Sequence, residues 1–337
     1  IGNNDCVSLI FENSIETVAI THSTSCRQRD QEVQLLTSGV IHSRPVTQIK
    51  SQSHIFPYIA LFIGILGLGM SAIFVKWASE ASGVVIAFYR VGIAALIMVI
   101  PFSAEIKRNT NAQRPHLIWA IIAGLFFAAD LGTWNYAAQM TSAANSTLLG
   151  NTSAVWVGLA AMLIFKEKLG GKFWIGMVIA FAGVILIMGE DFYTKITFGL
   201  GSLLALFASF FYAGFFFATQ RAREGLSSLS SWWISAISSA AALLIVSLLF
   251  AQPLIGFSAT TWWVMIAAAL ISQVVGYLAI NYALGHLPPH IVSPTMLGQP
   301  VMTAILAAFI LNERLSWIQI GGGVLVLSGI WLVNQKR

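Results

Sequence analysis

Charge is scarce in this sequence: only 9% of its 337 residues are Asp, Glu, Lys or Arg, against about 25% in ordinary soluble domains. So few charges cannot cover a surface that faces water, which excludes a soluble enzyme of one or two domains. Cysteine is nearly absent as well. Cys6 and Cys26 both fall in the first 55 residues, with no His or Cys neighbour at metal-ligand spacing. Neither a disulfide framework nor a thiolate metal site can therefore organise the remainder. The sequence has no Gly-Lys-Ser/Thr phosphate loop, no His-Glu-x-x-His and no Gly-x-Ser-x-Gly. ATP-driven pumping by this chain and the common hydrolase chemistries thus lose their main supports, and no cofactor or metal is expected.

What the chain has in abundance is apolar length. Hydrophobic residues make up 57% of it, and from Phe56 onward they gather into stretches long enough to cross about 30 Å of hydrocarbon as helices. Ten stretches are predicted, at 56–77, 82–102, 116–139, 142–165, 172–189, 197–220, 230–251, 260–284, 288–311 and 316–334. No charged residue lies between Gly225 and Asn312, so the divisions there rest on Gln252-Pro253, Gly256 and Gly285-His286-Leu287-Pro288-Pro289. Residues 1–55 hold nine charged residues and only short apolar clusters, such as Val18-Ala19-Ile20. They are read as a disordered tail with neither a signal-peptide core nor a span.

Lys and Arg in short loops set orientation, because cytoplasmic loops retain positive charge. Twelve fall on the side of the N-terminus and three (Lys76, Lys195 and Arg314) on the other. Both termini are therefore expected in the cytoplasm, and the net charge of +5 is a topology signal with no nucleic-acid partner implied. The sequence also repeats itself at an offset of 146: Asn135-Tyr136-Ala137 returns as Asn281-Tyr282-Ala283, Glu167-x-Leu169 as Glu313-x-Leu315, and Gly176 and Gly183 as Gly322 and Gly329. Two five-helix halves follow, 56–190 and 197–334. Because five is odd, the second half enters the membrane from the opposite side. The expected fold is an all-α integral membrane protein of ten helices, two inverted repeats around a central cavity, an architecture that recurs in secondary transporters.

Buried charge then points to function, since a charge in hydrocarbon is costly and faces an interior or cavity. Arg90 on the second helix and Asp130 on the third lie at matching depths, and a pair or one shared hydrogen-bond network is predicted. Such a pair either pins the two helices together or serves a substrate, with Arg90 taking an anionic group and Asp130 balancing charge or carrying a proton. Trp134 shares a helical face with Asp130. Asn145, Leu149, Thr152 and Trp156 form a stripe on the fourth helix. The Asn-Tyr pairs can line a cavity or join helices, and Trp232-Trp233 and Trp262-Trp263 are expected to pack. Pro294 and Pro300 flank Gly298-Gln299 and must interrupt the ninth helix. Lys76 and Glu80 read as interfacial charges, and Glu167 and Glu313 as topology anchors or gate-closing partners. Arg90, Asp130, Trp134, Asn145, Thr152, Tyr282 and Gln299 are the candidate substrate-binding or coupling residues.

Ala87-Phe88-Tyr89-Arg90, Thr141-Ser142-Ala143-Ala144-Asn145, Lys166-Glu167-Lys168-Leu169 and Asn312-Glu313-Arg314-Leu315, set on ten helices in two halves, resemble the EamA branch of the drug/metabolite transporter superfamily over residues 56–334. The resemblance implies a cavity lined by helices 1–4 and 6–9, peripheral helices 5 and 10, and export or exchange of small metabolites. The family's proline in mid-helix 4 is replaced by Asn151-Thr152-Ser153-Ala154, which weakens the expectation that both halves flex equally. The function expected is a secondary transporter in the inner or plasma membrane that exports or exchanges a small organic metabolite, an amino acid or related amphiphile, by alternating access. A coupling proton or exchange substrate would drive it, as a monomer or homodimer. The alternatives are an antiporter for phosphorylated or nucleotide-linked compounds, and a receptor or assembly factor that moves nothing.

Overall fold

The computed structural model describes residues 55–106, 114–140, 143–188, 199–310 and 315–335. The expectations for the tail, its cysteines and Glu313 lie outside those residues. Among the described residues all regular structure is helical, the form that satisfies every backbone polar group within one segment when lipid is the solvent. In chain order the helices are α1a (Ile55–Gly69), α1b (Ser71–Trp77), α2 (Gly83–Ile106), α3 (Arg114–Met140), α4a (Ala143–Asn151), α4b (Ser153–Leu163), α5 (Gly171–Met188), α6 (Leu200–Arg223) and α7 (Ser228–Leu249). Then come α8 (Ala259–Leu284), α9a (Pro289–Thr295), α9b (Gly298–Ile310) and α10 (Trp317–Val333). Each of the ten predicted stretches is thus a helix or a helix broken once. In the charge-free region serines mark the starts: Ser227 accepts from the Ser230 N–H at 3.0 Å and Ser258 from that of Thr261 at 3.3 Å.

The inverted repeat is visible where α5 crosses α10. A Cβ added to Gly176 would stand 2.7 Å from the Gly329 carbonyl, and one on Gly183 only 2.5 Å from that of Gly322. The reverse contacts mirror these, Gly322 against Gly183 at 2.7 Å and Gly329 against Gly176 at 2.4 Å. Gly322 and Gly329 are the repeat equivalents of Gly176 and Gly183, so each glycine meets the counterpart of the other. That reciprocal exchange is the signature of a two-fold axis between the halves. The two backbones touch because no side chain stands between them.

Away from this seam, α3 packs against α6 and α7. Gly124 lets α7 approach so closely that an added Cβ would meet the Ser235 carbonyl at 2.3 Å, and the Ser235 hydroxyl donates to the Ala120 carbonyl at 2.8 Å. Phe127, Phe215, Trp232 and Tyr277 fill the centre, with Tyr277 stacked on Trp232 at 5.3 Å and edge-on to Phe127 at 4.6 Å. Large apolar side chains such as Leu96, Ile100, Phe309 and Trp331 point outward and exposed, as lipid-facing positions do.

Three helices are interrupted in mid-course. α9 breaks at Met296-Leu297, next to Pro294, as its prolines predict. α4 breaks at Thr152, whose hydroxyl donates to the Leu149 carbonyl at 2.5 Å. α1 breaks at Met70 without any proline; the Thr303 hydroxyl takes up the Gly69 carbonyl at 2.9 Å and Ser272 that of Gly67 at 2.9 Å. A further irregularity sits inside α8, where Ala269–Tyr277 winds as a π-helix. Such wide turns are rare and gather at functional sites.

Candidate functional site

The interrupted helices converge on one cavity of about 110 Å³, lined from α1, α2, α3, α4a, α6, α8 and α9b. Arg90, Asp130, Trp134 and Gln299 all lie on its wall, together with Asn151, Tyr212, Tyr277 and Thr303. Arg90 is 2% exposed and Asp130 8%, so the cavity brings one cation and one anion to the middle of an apolar bundle. They lie near enough to feel each other's charge. Of the two arrangements expected, a pair or one shared hydrogen-bond network, a direct Arg90–Asp130 ion pair is not found among the described residues. The Nε and Nη2 of Arg90 lie 2.7 and 2.9 Å from one terminal atom of the Gln273 amide. A guanidinium only donates, so that atom is the amide oxygen. Gln273, fully buried on the π segment of α8, has taken the Nε–Nη2 edge of Arg90.

The other walls are built by close approach. The ring of Trp134 lies 3.1 Å from where a Cβ on Gly150 would stand, and its Nε1 donates to the Ser146 carbonyl at 3.3 Å. Gly150 therefore makes the space in which Trp134 lies against α4a. The Tyr212 hydroxyl is buried with no hydrogen-bond partner among the described residues, on the same cavity wall as Tyr277. Gly67 sets the distance between α1a and the π segment, since an added Cβ would meet the Ile271 carbonyl at 2.8 Å.

Two other predicted residues lie elsewhere. Thr152 turns to α6, where its hydroxyl donates to Ser209 Oγ at 2.8 Å, and Trp156 donates to the same oxygen at 2.9 Å. Their stripe thus serves a helix contact. Tyr282 lies tilted against His286, with ring centroids 4.3 Å apart, at the far end of α8. The side chain of Asn145 lies outside the described residues. Asn135 bonds the Leu131 carbonyl of its own helix at 2.7 Å. Sequence reasoning did not single out Gln273, Tyr212 or Tyr277, and it named Asn151 only within the segment that replaces the family's proline. One signal was available for Tyr277, which stands one repeat after Leu131, the neighbour of Asp130.

Contacts at both ends of the cavity join the halves. At one end Glu80, between α1b and α2, accepts from the Ser258 N–H at 2.8 Å and from the Thr261 hydroxyl at 3.0 Å. These hydrogen bonds, the backbone N–H first, hold its carboxyl below the usual carboxylate range. Tyr89 adds a bond to the Leu254 carbonyl at 2.6 Å. At the other end Glu167 lies 2.5 Å from Nδ1 of His290 on α9a. A left-handed backbone at Lys166 (φ 54°) turns Glu167 out of α4b.

Comparison with known proteins agrees with this architecture. The sequence model of the EamA-like transporter family matches residues 55–189 and again 199–335. An uncharacterized transporter of Archaeoglobus fulgidus is 25% identical over 264 residues, 75% of this chain and 88% of that protein. A protein of Escherichia coli named as a probable amino-acid metabolite efflux pump is 27% identical over 198 residues, 56% of this chain and 66% of its own length. A solved crystal structure superposes with a TM-score of 0.70 at 15% identity, covering 82% of this chain and 96% of the other, which speaks for the fold alone. With both halves matched in turn and the seam glycines exchanging partners across their axis, the chain belongs to the EamA-like transporter family, and is a multi-pass membrane transporter and not an enzyme.

Proposed function

We propose that this transporter exports or exchanges a small organic metabolite, an amino acid or related amphiphile, across the inner or plasma membrane by alternating access, with both termini in the cytoplasm. One observation carries the reading: Arg90 and Asp130 line a single cavity without pairing with each other. A carboxylate fits the guanidinium, and an ammonium group or a transported proton fits the carboxyl. Trp134, Tyr212 and Tyr277 supply apolar faces with polar tips for the rest of the molecule. Among the described residues Arg90 is the one cationic residue of the lining, which is little for a phosphate, usually gripped by several cationic groups. The name of the Escherichia coli relative supports an amino-acid cargo.

Counterflow in proteoliposomes loaded with each proteinogenic amino acid tests the proposal. Accelerated exchange of one or a few is expected, slowed by Arg90→Gln and altered in pH dependence by Asp130→Asn. Absence of exchange for the whole panel would remove the amino-acid reading.

A further inference from the structure

We infer that Gln273 is a positioning residue that turns one chosen edge of Arg90 toward the cavity, and so makes the site selective for a planar carboxylate. The inference rests on the reading of Arg90 as a substrate ligand. Its ground is the count of donors. A guanidinium carries five N–H groups in a fixed plane, and the Gln273 oxygen accepts from Nε and Nη2 at 2.7 and 2.9 Å. One lateral edge is thereby used. Among the described residues no other acceptor for Arg90 is found, so the terminal fork, both N–H groups of Nη1 and the second of Nη2, stays free on Arg90, which lines the cavity. Two parallel N–H groups match two carboxylate oxygens and match an amide, with one oxygen and one NH₂, poorly.

Gln273 is itself fixed, and its neutrality matters. It is fully buried on the π segment. The residue before it, Ser272, ties that segment to the Gly67 carbonyl at the break in α1, and Gly276 lets α1a pack close. A carboxylate in its place would accept equally well but would neutralise Arg90 and repel an anionic cargo. An amide orients the guanidinium and leaves its charge for the substrate.

Two readouts on the full-length protein test this. In the first, transport of an exchanging amino acid is compared with transport of its carboxamide, which keeps the ammonium group and loses the carboxylate charge. The wild type is expected to prefer the acid. Gln273→Leu keeps the charge of Arg90 but removes the acceptor, and the preference should fall by about tenfold or more; Gln273→Glu keeps the acceptor and cancels the charge, and should raise KM for the acid by a similar factor. In the second, the Nε–H resonance of Arg90, assigned by its disappearance in Arg90→Lys, reports positioning without any transport. It should be protected from exchange with water in the wild type and in Gln273→Glu, and unprotected in Gln273→Leu.

An acid preference kept within about twofold in both variants, or an Nε–H that exchanges freely in the wild type, would overturn the inference. If no amino acid is carried at all, the proposed cargo fails while the Nε–H signal still decides what Gln273 does. If Gln273→Leu does not fold, the Gln273→Glu arm and the wild-type signal decide.

Discussion

At the scale of single residues, the two buried charges and the hydroxyl that faces away from them should behave differently. Removing a charged hydrogen-bond partner costs about 1.5–3 kcal/mol, so Arg90→Gln is expected to slow counterflow by about 10- to 100-fold while the protein still elutes as a folded species in gel filtration. Thr152→Ala breaks a neutral contact with Ser209. It should lower thermal stability by about 0.5–1.5 kcal/mol and leave counterflow within about twofold. Arg90 and Asp130 were legible in the sequence because a charge inside an apolar stretch has few explanations. Thr152 was misplaced because a stripe at helical spacing gives a face but not the neighbour that the face meets. Gln273 was invisible for a related reason: an uncharged amide in an apolar helix has no signature until the group it accepts from is known.

At the scale of elements, the glycines give the sharpest expectations. An alanine at position 183 places its Cβ 2.5 Å from a main-chain oxygen of Gly322, which cannot swing aside. Overpacking of this kind costs about 1–3 kcal/mol, to be seen as a lower melting temperature of Gly183→Ala in detergent. Gly67 and Gly276 make a contrasting pair. An added Cβ at Gly67 meets the Ile271 carbonyl at 2.8 Å, but at Gly276 it meets Leu68 Cδ1, the end of a flexible side chain, at 2.7 Å. Gly67→Ala is therefore expected to displace the π segment and slow counterflow more than Gly276→Ala, measured side by side. The ten helices were readable from apolar length and the break in α9 from its prolines. The break in α1 and the π winding of α8 were not, because Ser272 and Thr303 take up the freed carbonyls of Gly67 and Gly69 from distant parts of the chain, and no local residue announces that.

At the scale of the whole molecule, the contacts of Glu80 and Glu167 bridge the halves at opposite ends of the cavity. A carboxyl with a lowered pKa contributes its contact above the ordinary value of 4.5 and loses it as pH falls through the lowered one. The Glu80 contact should thus hold at neutral pH and be lost only as pH falls below the ordinary carboxylate range. Glu80→Ala should open it at neutral pH, read as faster labelling of Ser71→Cys by an impermeant maleimide from outside, with Cys6 and Cys26 replaced by serine. Reporter fusions at both termini test the orientation, with both expected to report cytoplasm. The crossing of α5 and α10 has a consequence for how such a protein can diversify. Backbone touches backbone there, so the joint tolerates almost no variation, while Trp134, Asn151, Tyr212 and Gln299 stand on other helices and can be exchanged without disturbing it. A laboratory lineage selected for a new cargo would rewrite the vestibule and inherit the spine intact.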